Sequence, residues 1–235
     1  MSNFVINPYS FTSEFSPSDI SDMVAWYDAS DSSTITKDGS DRVSQWDDKS
    51  ANGHDLAQST SSDQPLWVSA DKNGLDVINL AGDRWMSKAF TEVDQPITTV
   101  GAFVCAGEGN LTFWDGITAG YCRLRTVDGT NETMGINAGT FVESSGVSGL
   151  FGAWSYMTGV YSGTSSLLRI NGSNVTSGTV NAGTEGQNGF LIGAQKPGSG
   201  GFWNQKVGEV ICYNKVVSGD ELTNLETYLV DKWDL

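Results

Sequence analysis

From Asp19 onward the chain alternates short apolar runs with clusters of Gly, Asn, Asp and Ser. The runs read "MVAWYDA", "RVSQWD", "DVINL", "ITTVGAFVCA", "LTFWDG", "YCRLRTV", "TMGINA", "SYMTGVYSG", "SLLRING", "GFLIGA" and "VGEVICYN". They are rich in β-branched and aromatic residues, and turn-forming residues bound most of them, which is the signature of strands. Asp128-Gly129 and Asn171-Gly172 tolerate the positive φ that tight hairpins require. Roughly eleven short strands with no alternating helices predict an all-β, antiparallel two-sheet jelly-roll sandwich. In "YCRLRTV" the two-residue period puts Tyr121, Arg123 and Arg125 on one face and Cys122 and Leu124 on the other.

The last stretch changes period. In "SGDELTNLETYLVDKW", Leu222, Leu225, Leu229 and Trp233 recur at helical spacing, and Ser218 and Glu221 stand at the spacing of a capping box. A helix from about Ser218 should bury that stripe on the sandwich. At the other end, residues 1–16 hold Phe4, Val5, Ile6, Tyr9, Phe11 and Phe15 around a single charge, Glu14, with Pro8 and Pro17 opposing a regular helix. We divide the chain into an N-terminal arm, 1–18, and one sandwich domain, 19–235. The arm either packs on its own domain or docks on a neighbouring subunit.

Charge narrows the partners. A formal net charge of −15 argues against nucleic acid, whose binding needs clustered Lys and Arg, and equally against anionic membrane surfaces. No run reaches the roughly 18 apolar residues of a membrane span, so no membrane insertion is expected. "MSNFVINPYSFTSEFSPSD" lacks a basic n-region followed by an apolar core. Without such a signal peptide, the expected route outward is release of assembled particles by lysis. Cys105, Cys122 and Cys212 show no CxxC spacing and read as buried small hydrophobes, a Cys105–Cys122 bridge being the alternative.

Five pieces carry a resemblance. They are "MVAWYDASD" with "VSQWDDKSANGHDLAQ", "NGLDVINLAGDRWMS", "GAWSYMTGVYSGTSSLLRINGSNV", and "FLIGAQ" followed by "GFWNQKVGEVICYNKVVSGDEL". In this order they resemble the concanavalin A-like lectin superfamily, specifically the laminin-G-like jelly rolls of phage and bacterial surface proteins. The resemblance spans about Asp19 to Leu235 and implies two stacked, curved antiparallel sheets. Members include lectins, hydrolases, lyases and structural modules, so function must come from a site.

Catalysis is not expected. Glycosidases of this superfamily present carboxylates on one strand in a pattern like E-x-D-x-E, whereas Glu92 and Asp94 are followed at once by Pro96. The related lyases place a His on a strand, whereas the only histidine, His54, sits in the turn-like "NGHD". The surrounding "QWDDKSANGHD" reads as a turn, because Asp and Asn side chains cap nearby backbone N–H groups. A structural Ca²⁺ held by Asp47, Asp48 and Asp55 is the alternative, and no other cofactor is expected. Trp114 and Trp203 flank turns and are candidates for stacking on a sugar; Trp26, Trp46, Trp85, Trp154 and Trp233 read as core. Tyr121, Arg123 and Arg125 are candidates for an acidic sugar or a neighbouring subunit.

The expected function is therefore a non-catalytic bacteriophage virion surface protein, such as a decoration, fibre or appendage component, with a glycan-binding module or adhesin as the alternative. Expected partners are other virion proteins, a second copy of the chain, or cell-surface polysaccharide. The expected location is the virion surface or the extracellular space.

Overall fold

The computed structural model describes residues 15–235 apart from 108, 119, 128–131 and 196–199. The apolar part of the arm and the Asp128-Gly129 turn lie outside the described residues. In chain order the strands are β1 (Met23–Asp28), β2 (Ile35–Lys37), β3 (Val43–Trp46), β4 (Leu56–Ala57), β5 (Leu66–Lys72) and β6 (Leu75–Asn79). Next come β7 (Met86–Val93), β8 (Ile97–Val104), β9 (Thr112–Asp115), β10 (Arg123–Thr126), β11 (Met134–Asn137) and β12 (Phe141–Glu143). The last are β13 (Trp154–Tyr161), β14 (Leu167–Ile170), β15 (Ser173–Asn174), β16 (Gln187–Ile192) and β17 (Lys206–Tyr213), before the helix α1 (Gly219–Trp233).

They pair antiparallel into two sheets. The eight-stranded sheet runs β15-β14-β13-β8-β17-β6-β5, with β1 also paired to β17. The nine-stranded sheet runs β12-β11-β10-β9-β16-β7-β4-β3-β2. The predicted sandwich and C-terminal helix are both present.

Register explains which residues fill the space between the sheets. Across the nine-stranded sheet Met86, Ile192, Trp114, Leu124, Ile136 and Val142 stand opposite one another in sequence of pairing, and all but Val142 are fully buried. This row faces the other sheet. From there Phe103 on β8 meets Phe113 at 3.9 Å and Trp203 at 5.4 Å between ring centroids. The neighbouring row, on the outer face, runs Ala57, Ser87, Leu191 and Asp115, then Arg123, Asn137 and Phe141. A two-residue period in several paired strands thus builds an apolar inner row and a mixed outer row that carries Asp115, Arg123 and Asn137.

The eight-stranded sheet is covered on both sides, which is why β8 is buried at every position. On β17, Val210 and Cys212 face the inter-sheet core, while Ile211 and Tyr213 face α1 with Leu225, Leu229 and Trp233. The indole of Trp233 lies on Gly208, where a Cβ would come within 2.8 Å of it, so only glycine admits this approach.

Between sheet and helix sits Glu209, wholly buried. Its carboxylate accepts from Trp26 Nε1 (2.6 Å), Tyr228 OH (2.9 Å), Trp233 Nε1 (2.9 Å) and Lys232 Nζ (2.9 Å). Lys232 also pairs with Asp28 at 2.8 Å, and Asp28 with Lys49 at 3.0 Å. A buried carboxylate is tolerated here because four donors satisfy it.

Two expectations change, the capping box and the full burial of Trp85 and Trp154. Ser218 is the N-cap of α1 but its side chain makes no capping bond. Lys215 Nζ binds the Glu221 carboxylate at 2.9 Å, so the capping box does not form. The three cysteines are free and buried, as expected of small hydrophobes, and the alternative Cys105–Cys122 bridge is not made. Trp85 and Trp154 are only half-buried, although Trp154 stacks on Trp233 with centroids 5.9 Å apart.

Candidate functional site

The Asp-rich stretch is a turn whose carboxylates serve the backbone. Asp48 Oδ1 accepts from the N–H groups of Trp26 (2.9 Å) and Ser50 (2.8 Å), and its Oδ2 from the His54 N–H (3.1 Å). Asp55 Oδ1 accepts from the Asp48 N–H at 2.9 Å, and Asp47 Oδ1 from Gln45 Nε2 at 2.6 Å. The three carboxylates diverge to separate donors. His54 stacks on Phe90 at 4.1 Å, and its Nδ1 lies 2.9 Å from the Val24 carbonyl oxygen. Asx-type capping by Asp48 and Asp55 accounts for the cluster. Among the described residues no three His, Cys, Asp or Glu side chains form a group suited to a metal.

Trp114 and Trp203 are both 0% exposed, which corrects their reading as sugar platforms. Trp114 belongs to the inward row, its Nε1 donating to Tyr161 OH at 3.1 Å, and Trp203 Nε1 donates to the Val104 carbonyl at 3.0 Å. Both indoles are satisfied within the core and have no free face.

The arginine stripe is partly kept. Arg123 and Arg125 do share the outer face of β10. Tyr121 leaves it, because Cys122 adopts a positive φ of 50° and interrupts the alternation, so β10 begins only at Arg123. Tyr121 instead closes a loop by accepting the Gly116 N–H at 2.8 Å. Its phenol is held above its usual pKa by a hydrogen bond and charge repulsion from Glu185.

Pairing brings a residue to Arg123 that the pattern did not single out. Asp115, at the end of β9, is 0% exposed, and its Oδ2 lies 3.9 Å from Arg123 Nη1. Asp115 Oδ1 accepts from the N–H groups of Gly116 (2.9 Å) and Gly120 (2.8 Å), pinning the loop that follows β9. Burial pushes its carboxyl up to about 7, against the opposing pull of Arg123 and the backbone donors. Arg123 itself is 8% exposed and makes no hydrogen bond among the described residues. Arg125 donates from Nη1 to Asn110 Oδ1 at 2.5 Å and lies 4.1 Å over the Phe141 ring. Burial first, and Arg123 second, pull the pKa of Arg125 down.

Asp115 Oδ2, Arg123 Nε, Arg125 Nε and Thr112 Oγ1 are all buried without a hydrogen-bond partner among the described residues. Four such atoms on two paired strands are unusual, since buried polar groups are almost always satisfied. Sequence reading missed Asp115 because "FWDG" looks like the start of a turn; only the register of β9 against β10 sets it beside Arg123. A separate groove of about 500 Å³ runs along α1, lined by Phe15, Leu75, Tyr228 and Lys232 among others. It is lined by residues of α1, β6 and the N-terminal segment and shares none with the arginine face.

Residues 91–223, more than half of the chain, match a laminin-G family model of the concanavalin A-like lectin/glucanases superfamily. No curated protein matches the chain in sequence. Among solved structures, the chain resembles domain 4 of a GH43 extracellular arabinanase from Geobacillus stearothermophilus, in complex with arabinotriose. The identity is 14% and the TM-score 0.58, over 87% of this chain and 98% of that one. It also resembles a Trypanosoma rangeli sialidase in complex with the inhibitor DANA, at 11% identity and TM-score 0.58, over 87% of this chain and 32% of that one. An arabinofuranosidase complexed with arabinofuranosyl-α-1,2-xylobiose aligns at 11% identity and TM-score 0.59, over 82% of this chain and 51% of that one. The chain thus spans about a third and a half of the last two, and at these identities the likeness is one of fold.

Proposed function

Because the chain belongs to the concanavalin A-like lectin/glucanases superfamily, we propose that it is a non-catalytic carbohydrate-binding sandwich that takes its ligand on the outer face of the nine-stranded sheet. The observation that carries this reading is the row Asp115, Arg123, Asn137, Phe141, where Asp115 Oδ2 and Arg123 Nε stand side by side with no hydrogen-bond partner among the described residues. Sugars are recognised by such fixed polar groups beside an aromatic ring. The arabinanase domain in complex with arabinotriose, almost all of whose length this chain covers, supports the same reading.

Hydrolysis of a glycosidic bond needs two carboxyl groups facing it. On this face Asp115 lies wholly buried and caps its loop, and Glu143 Oε1 accepts from the Thr133 hydroxyl at 2.7 Å. Away from the face, Glu92 Oε1 accepts the Gly186 N–H at 3.1 Å. We expect purified protein on a glycan array to retain at least one polysaccharide class and to release no reducing ends or unsaturated products from it. Product formation lost in Asp115→Asn would overturn the non-catalytic reading, and an array without any bound glycan would overturn carbohydrate binding.

The same proposal places the sandwich on a virion surface, with the apolar arm as its attachment. Phe15 packs edge-on against Tyr228 at 6.2 Å and lines the groove along α1, so the arm leaves the domain beside that groove. Burying the arm's apolar side chains, at about 1.5–3 kcal/mol each, can outweigh the entropy of ordering a short segment. Deleting residues 1–14 should leave the melting temperature unchanged and abolish association seen by light scattering. A large fall in melting temperature with unchanged association would show that the arm serves its own domain.

A further inference from the structure

We propose that Arg123 and Arg125 form a subsite for a carboxylate-bearing sugar, so that the glycan bound is an acidic one. This deepens the glycan-binding reading and rests on it.

The two arginines differ from the engaged cations elsewhere in the protein. Lys49, Lys206, Lys232 and Arg169 hold carboxylates at 2.6–3.0 Å. The carboxylate nearest Arg123 is 3.9 Å away, and none of its N–H donors is used among the described residues. A guanidinium has five donors in a planar fork that matches a carboxylate, and leaving them unpaired at 8% exposure is costly. Arg125 is held in place by Asn110 and by the Phe141 ring beneath it. Gly135 makes that stacking feasible: a Cβ there would meet the Phe141 ring at 2.2 Å.

Charge points the same way. Arg123 and Arg125 stand two residues apart on one strand face and repel, which helps pull the pKa of Arg125 down. An anion between them relieves that repulsion, whereas a neutral sugar does not. The net charge of −15 gives no long-range attraction for such an anion, so recognition rests on these local donors.

Asp115 sets the pH dependence. Buried behind Arg123, it competes with the ligand carboxylate when ionised and ceases to when protonated, and its carboxyl sits at about 7. The other titratable groups around this pair are Arg125 on the same strand, Glu143 on β12, Cys122 before β10 and Tyr161 on β13. A uronic or sialic carboxyl stays ionised well below this range, so binding should strengthen as pH falls from about 8 to about 6.

Calorimetric titration with trigalacturonate, a hyaluronan tetrasaccharide and sialyllactose, each against its methyl ester, tests the proposal. At least one acid form should bind about tenfold or more tighter than its ester, a factor in keeping with a charged hydrogen-bonded pair. Arg123→Gln and Arg125→Lys should each bring the acid form toward the ester, and Asp115→Asn should flatten the pH profile. Arg125→Lys keeps the charge and loses the fork, so it remains decisive if Arg123→Gln fails to fold. Equal binding of acids and esters, or of neutral glycans alone, would overturn the acidic subsite and leave glycan binding standing. If no saccharide of either kind binds, both fall.

Discussion

Glu209→Ala is expected to destabilise the protein by about 3–5 kcal/mol, because it removes the acceptor from a buried ionic cluster without removing its donors. Two indoles, a phenol and an ammonium converge on this carboxylate from β1 and α1, at 2.6 to 2.9 Å. After substitution the buried Trp26 and Trp233 N–H groups and the Lys232 ammonium lose their shared acceptor. Asp28, which Lys232 also neutralises, keeps only Lys49 and Ser30 if the ammonium swings away. An ordinary domain has about 5–15 kcal/mol of stability in total, so such a loss is a large part of it. Glu209→Gln should cost less, since one amide oxygen still accepts from an indole. Urea unfolding followed by tryptophan fluorescence measures both. A loss below about 1 kcal/mol for Glu209→Ala would mean that helix docking is carried by Leu225, Leu229 and Trp233 alone.

The elements legible in the sequence were those whose residues report their own burial. Each of the eleven apolar runs overlaps a strand, and β8, "ITTVGAFV", is uniformly buried because sheet and helix cover its two faces. Four of the six strands that escaped notice show why. β4 and β15 are two residues long, and β12 is a three-residue edge strand; none is long enough for a period to show. β7, "MSKAFTEV", is largely polar and half-exposed, so only its pairing with β16 identifies it. Composition alone carries no record of the partner strand.

The site follows the same logic. Arg123 and Arg125 were visible as alternating cations, because their period is local. Tyr121 was misplaced by the same rule, since a positive φ at Cys122 is a backbone event that a non-glycine residue does not announce. Trp114 and Trp203 looked exposed because turns adjoin them, yet an aromatic beside a turn can point inward as readily as outward. Asp115 became visible only through register: Leu124 pairs with Trp114, and the next step along antiparallel strands sets Arg123 against Asp115. A functional pair split across two strands has no spacing to read.

That pair yields the second large effect. Between about pH 4 and pH 8 the protein is expected to lose stability through Asp115, and the Asp115→Asn variant to lose much less. The folded carboxyl sits at about 7, raised by burial from an ordinary value of 3.8. The folded state therefore holds a proton that the unfolded state has released. The stabilisation is complete below the unfolded pKa and is lost as pH rises through the folded one. A shift of about three units corresponds to about 4 kcal/mol over that interval. Asp31 acts in the opposite sense and at lower pH: hydrogen bonds from Lys49 and Ser33 hold it at about 2, so its contribution is present above about 4 and disappears toward pH 2. Its exposure to solvent keeps that term small. The stability maximum should thus fall on the acid side of neutrality. Urea titrations of both proteins at pH 4, 6 and 8 give the comparison directly. Parallel pH profiles would show that Arg123 holds Asp115 ionised throughout, and that it would compete with a bound carboxylate over the whole range.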